Sequence, residues 1–148
     1  MILTVGLLVM SLCLGFQVLA SVFAARYVAR ATRQVELRHW RGIFRRFSIL
    51  MILLMLGNII QIAVWALLYR MLGAFEDLET AAYFSGVTFT SLGYGDLVLH
   101  GRIRLLAPLQ AANGLMMFGI STAIFITVLQ RAIGKWSAEH AREDAGHP

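Results

Sequence analysis

Three stretches of the chain run for more than twenty residues without an Asp, Glu, Lys or Arg: residues 1–25, 47–69 between Arg46 and Arg70, and 105–130 between Arg104 and Arg131. A bilayer core about 30 Å thick is crossed by roughly 20 apolar residues of helix, so each stretch predicts a transmembrane helix. The first could also be read as a signal peptide, but it lacks the basic region that precedes the apolar part of such a leader. A fourth uncharged stretch, residues 80–95 (TAAYFSGVTFTSLGYG), is shorter and carries Thr80, Ser85, Thr88, Thr90 and Ser91 among its apolar members. It is too short and too polar to span. Irregular backbone at membrane depth survives only where protein buries it or where it lines a watery cavity. The Gly-rich end of this stretch therefore marks either a re-entrant segment or an extramembrane loop with a glycine turn, and composition leaves both open.

Composition supports the membrane reading. The chain has 148 residues, 59% of them hydrophobic and 14% charged, against roughly 25% charged in soluble domains. Its one cysteine, Cys13, lies in an apolar run and reads as a small buried or lipid-facing hydrophobe. A lone cysteine excludes a disulfide framework or a Cys-based zinc site within one chain. Two prolines and no low-complexity or repeated tract give no sign of a linker, so one membrane domain is expected.

Charge orients it. Residues 26–46 carry seven Arg (26, 30, 33, 38, 41, 45 and 46) against Glu36 alone. By the positive-inside rule this loop is cytoplasmic, which puts the N-terminus outside, segment 70–104 outside, and the tail from Arg131 inside. Beside two spans, so basic a segment reads as an anchor near anionic lipid rather than as a nucleic-acid site. Trp65 and Tyr69 approach one membrane face and Trp40 and Trp136 the other, which predicts an aromatic belt. Gln17, alone in the first span, predicts a hydrogen bond to a neighbouring helix.

Between the second and third long spans the order is acidic turn (Glu76, Asp77, Glu79), short helix, Ser91-Leu92-Gly93-Tyr94-Gly95-Asp96. With the flanking spans, this resembles the pore domain of tetrameric potassium channels, in which Thr-Val-Gly-Tyr-Gly-Asp occupies the same place. The resemblance covers about residues 47–133; the helix 1–25, the loop 26–46 and the tail 134–148 lie outside it. It implies an all-α membrane fold of three transmembrane helices plus a re-entrant pore helix and filter loop. It also implies a C4 homotetramer, three identical subunits joining each chain, in the cell (inner) membrane as a multi-pass protein of bacterial type. The implied activity is passive, selective K⁺ conduction, with K⁺ as the permeant ion, the lipid bilayer as surroundings, no cofactor and no nucleic acid.

Residue roles follow from the same resemblance. The carbonyls of Ser91, Leu92, Gly93 and Tyr94, with the Ser91 hydroxyl, would bind K⁺ in place of water, and Gly93 and Gly95 would supply the positive φ that such a backbone needs. Ser91 departs from the family threonine by losing a methyl group and some rotamer stiffness, so a looser innermost site is expected. Asp77 is expected to cap a helix over about Leu78 to Thr90, whose C-terminal dipole would favour a cation. Thr90 lies in the last turn of that helix. Tyr83 and Phe84 stand at the positions of the aromatic cuff, with Thr88 as the expected partner of the Tyr94 hydroxyl. Val87 stands where some members place an acid, so Asp96 is expected to use Tyr83 or water, and four copies of Asp96 would make a negative outer mouth. In the last helix Gly114 is a hinge or a close-packing site. Phe118, Thr122, Ile126 and Gln130, with Gly119 nearby, would line the cavity and gate.

Two other classes were weighed. An intramembrane enzyme would need a nucleophile and base, but Ser85 and His100 stand apart across the glycine motif with no oxyanion signature. A non-conducting scaffold on the same fold is the alternative to a channel. His100 reads as a solvated loop residue, and His39, His140 and His147 show no metal-ligand spacing.

Overall fold

The computed structural model describes residues 2–33 and 40–145, with side chains over 2–26, 44–45, 47–130 and 133–134. The expectations for His39, His147, Arg38 and the side chains of Trp40, Trp136 and His140 fall outside that set. The order is α1 (Ile2–Arg33), α2 (Trp40–Met71), α3 (Leu78–Phe89), a short 3-10 turn (Gly101–Leu105) and α4 (Leu106–Ala145). No strand occurs among the described residues.

Three helices carry windows long and apolar enough to cross a membrane: Ile2–Arg26, Phe47–Met71 and Gly101–Gln130, the last including the 3-10 turn. α1 and α2 are 32 residues each. At 1.5 Å per residue they reach about 48 Å, well beyond the hydrocarbon layer. The basic segment expected as a loop over 26–46 is thus largely the projecting ends of two helices, with residues 34–39 between them. α4 runs 40 residues, about 60 Å, and carries its charged end beyond the apolar span in the same way.

α1 lies along both α2 and α4, and α3 is wedged between α2 and α4. Close approach of α1 to α4 needs Gly6, where a Cβ would come within 2.6 Å of Leu106 Cδ2. One cluster joins Cys13, Trp65, Ala66, Tyr69, Ala81, Phe84 and Leu106 near α3; a second joins Ala24, Leu50 and Leu54 with Ile124 and Val128 toward the basic end. Trp65 and Tyr69 correct the aromatic-belt expectation. Both are fully buried, because protein rather than lipid covers this face of α2: Cys13 of α1 and Phe84 of α3 join the same cluster. The Tyr69 ring meets Phe84 edge-on at 5.2 Å and Phe75 at 6.5 Å.

Lipid offers no hydrophobic drive for helices to associate, so buried polar pairs carry much of the specificity. Here they form two lines. Tyr69 Oη donates to Gln110 Oε1 (2.7 Å), Gln110 Nε2 donates to Ser85 Oγ (2.6 Å) and Ser85 O (3.1 Å), and Ser85 Oγ donates to Ile62 O (2.7 Å). This line fixes α3 between its neighbours. In the second, Gln61 Nε2 donates to Gln17 Oε1 (2.9 Å), Asn113 Nδ2 to Gln61 Oε1 (3.3 Å) and Gln17 Nε2 to Ser121 Oγ (3.4 Å). Gln17 thus bonds to two neighbouring helices.

Candidate functional site

The site is built on the end of α3. Its start is fixed by Asp77, whose extended backbone (φ −119°, ψ 158°) and side chain cap the helix. Asp77 Oδ1 accepts from Thr80 N and Oδ2 from Thr80 Oγ1, both at 2.7 Å. Those bonds, the backbone one first, hold the Asp77 carboxyl below its usual 3.8. Thr90 closes the other end, donating Oγ1 to Gly86 O at 2.8 Å and Val87 O at 3.2 Å.

Beyond Thr90 the backbone changes character. φ is +59° at Ser91, +56° at Gly93 and +78° at Gly95, while Leu92 and Tyr94 keep negative φ, so its sign alternates over five residues. A chain of alternating handedness puts successive carbonyls on one side and successive N–H groups on the other. The N–H groups here turn back onto the helix: Ser91 N donates to Thr88 O (3.0 Å), Leu92 N to Val87 O (3.0 Å) and Gly93 N to Val87 O (3.4 Å). Among the described residues nothing donates to the carbonyls of Ser91, Leu92, Gly93 or Tyr94. Residues 91–96 are all exposed in the single chain. No atom lies within 4 Å of a Cβ built on Gly93 or Gly95, so these positions need glycine for φ, not for room. Ser91 is the one non-glycine residue with positive φ among the described residues. An L side chain there costs roughly 1–2 kcal/mol, strain of the kind found at functional sites.

The outer end of the loop is tied by Tyr83, whose hydroxyl donates to Asp96 Oδ2 at 2.7 Å. Val87 offers no acid there, and of the two partners open to Asp96 the structure has Tyr83. That bond, ahead of burial and the charge of Asp96, raises the Tyr83 pKa above its ordinary 10.0. The sign of each shift sets a window. The Asp77 cap is present above 3.8 and lost as pH falls through its lowered value, whereas the Tyr83 tie is present below 10.0 and lost as pH rises through its raised one. Asp96 Oδ1 also accepts from Leu97 N at 3.0 Å.

Other expected site residues are placed as follows. Phe84 turns away from the loop to pack on Tyr69 and Phe75, at 5.2 and 5.1 Å, so it bears on the loop only by seating α3. Tyr94 stands 67% exposed and makes no bond to Thr88 within the chain; Thr88 contributes its carbonyl to Ser91 instead. Val87 likewise acts through its carbonyl, a role no side-chain pattern announces. Gly114 is a close-packing position. α4 runs unbroken through it, and a Cβ there would overlap the Phe89 carbonyl, whose carbon lies 2.8 Å from the ideal Cβ site. Phe118, Thr122, Ile126 and Gln130 are all exposed, with Gly119 beside them and nothing within 4 Å of its Cβ site. Phe118 also reaches α3, edge-on to Phe89 at 5.9 Å. Ser85, weighed above as a nucleophile, is committed to Ile62 O, and His100 is exposed.

Two spans thus flank a short helix and a glycine loop bonded back onto it, whose carbonyls at Ser91, Leu92, Gly93 and Tyr94 accept no hydrogen bond among the described residues. A model of the ion channel family matches residues 58–131. The chain belongs to that family. Its domain is of the two-transmembrane, potassium-channel type, preceded by the additional apolar helix α1. No curated protein and no solved structure matches the chain. Family membership makes it a multi-pass membrane protein with an ion channel domain, and the ion channel family is not an enzyme class. The residues seating the helices around this loop that sequence reasoning missed are Tyr69, Gln61, Gln110 and Asn113. Their signal was there to read: polar or hydroxylated side chains in spans otherwise made of Leu, Ile, Val, Ala and Met seldom face lipid.

Proposed function

We propose that the channel conducts K⁺ selectively, four chains placing residues 91–95 about a common axis. The observation that carries this reading is the alternation of φ over Ser91–Gly95, with the N–H groups of Ser91, Leu92 and Gly93 spent on α3 and the carbonyls of Ser91 to Tyr94 left unbonded. A dehydrated K⁺ needs rings of oxygens, and four such loops supply them from the backbone of Ser91, Leu92, Gly93 and Tyr94, with the Ser91 hydroxyl at the inner end. One chain presents only one column, so the ring requires cyclic closure. The exposure of Tyr94 and residues 91–96 fits surfaces that neighbouring chains cover.

In that assembly α4 lines the inner cavity through Phe118, Thr122, Ile126 and Gln130, and four Asp96 carboxylates raise the cation concentration at the mouth. The basic ends of α1 and α2 face the cytoplasm and put the N-terminus outside, in a cell membrane. K⁺-driven flux into liposomes holding the purified tetramer, blocked by Ba²⁺, tests the proposal. Gly95→Ala is expected to abolish the flux with assembly intact, because alanine resists a φ near +78°. A wild-type tetramer that passes no ion is a scaffold, and the proposal fails.

A further inference from the structure

The channel domain matches from residue 58, so α1 is an addition to it, and the structure gives that addition a specific grip. Gln17 is fully buried and bonds at two levels of α4: directly at Ser121, and through Gln61 at Asn113. Those levels are eight residues apart, about 12 Å along the helix. Between them lie Gly114 and Gly119, the two glycines of the span.

The approach of Gln17 is built into α2. A Cβ on Gly57 would stand 2.8 Å from Gln17 Oε1, so the amide as placed lies in space that a side chain at residue 57 would contest. Gln61 and Asn113 are as buried as Gln17, and the Asn113 Oδ1 already lacks a donor. The line has no slack: removing one link leaves further buried amides unpaired, which costs more than the bond itself. At its far end Asn113 precedes Gly114, whose backbone bears on the Phe89 carbonyl at the end of α3. Phe89 is two residues from Ser91, where the carbonyl column begins.

We infer that Gln17 is a positioning residue for the pore, clamping α4 above and below Gly114 and Gly119 and thereby holding the base of α3 under the filter. The inference rests on the channel reading for its electrical consequence but not for the clamp itself. α1 is then a brace on the inner helix in addition to any role as an anchor.

Three variants of the full chain test this in lipid. Gln17→Leu keeps the apolar span and removes both bonds. Gln61→Met breaks the line one step further on. Gln17→Glu, protonated in the apolar interior, keeps an acceptor for Gln61 and a donor for Ser121. The first readout is amide hydrogen exchange over residues 114–120 in the assembled protein. Gln17→Leu is expected to speed it at least about threefold, the factor that one interhelical hydrogen bond in a membrane carries. Gln61→Met and the double variant are expected to match that change rather than add to it, and Gln17→Glu to return it to within about twofold of wild type. The second readout is single-channel open probability, which is expected to shift by a similar factor in Gln17→Leu and recover in Gln17→Glu. Unchanged exchange and unchanged open probability in an assembled Gln17→Leu channel overturn the inference and leave K⁺ conduction standing. A wild-type assembly without current defeats the channel reading instead, while the exchange rates still decide whether the clamp exists.

Discussion

Tyr83, Asp96, Ser91 and Gly114 are where single side chains, or their absence, set the behaviour of the loop. The Tyr83 hydroxyl is the one side-chain tie among the described residues between α3 and the outer end of the glycine segment. Tyr83→Phe keeps the ring and removes the tie, so currents are expected to inactivate several times faster at the filter. A voltage-jump or concentration-jump record of slow inactivation checks this, and unchanged kinetics would remove Tyr83 from the account. Gly114→Ala sets a methyl group against backbone, not against a flexible side chain. Overpacking of that kind costs roughly 1–3 kcal/mol, and a thermal melt of the assembly should fall accordingly. If Gly114 served only as a hinge, alanine would stiffen α4 without lowering the melt. The glycine motif and the Asp77 cap were legible because each is a short-range rule: positive φ selects glycine, and an unpaired helix start selects Asp. The role of Gly114 was not, because a hinge and a contact leave the same letter in the sequence and only the neighbouring carbonyl tells them apart. The contacts of Phe84 with Tyr69 and Phe75 were likewise hidden, since no local rule announces a ring contact between separate elements.

Helices are positioned by pairs that a hydropathy pattern cannot show. The three spans followed from uncharged length alone, and the start of the short helix at Leu78 followed from the Asp77 cap. What the pattern hid was their mutual seating, because apolar residues in lipid give little preference for one face over another. The lines through Gln110 and through Gln17 supply that preference. Polar residues in spans signalled some partner, but not which. Trp65 and Tyr69 were misread for the related reason that an aromatic residue near a helix end suits an interface or a core equally well. Gln110 is the link whose loss has the clearest consequence: Gln110→Leu leaves the buried Tyr69 hydroxyl without its acceptor and takes the Gln110 donor from Ser85. Such orphans cost roughly 1–3 kcal/mol. The thermal midpoint of the assembly should fall, and Ba²⁺-sensitive flux should fall with it as α3 loosens. Retention of both would mean that α3 is held by packing alone.

The proposed conduction needs four chains. On that proposal the alternating backbone, the exposed Tyr94, the open stripe on α4 and the Asp96 carboxylate are each one quarter of a structure that closes about an axis. α1 lies against α2 and α4 of its own chain, so the brace proposed for it acts within each subunit before the subunits meet. Ser91 stands where the potassium channels that this chain resembles have threonine, and ion choice is where the difference would show. The proposed carbonyl rings argue that selectivity survives the loss of one methyl group. The direct test is the bi-ionic reversal potential of the purified tetramer in a planar bilayer, with K⁺ on one side and Na⁺ on the other. The account predicts a reversal far toward the K⁺ equilibrium potential. A reversal at zero, with current flowing, would contradict it.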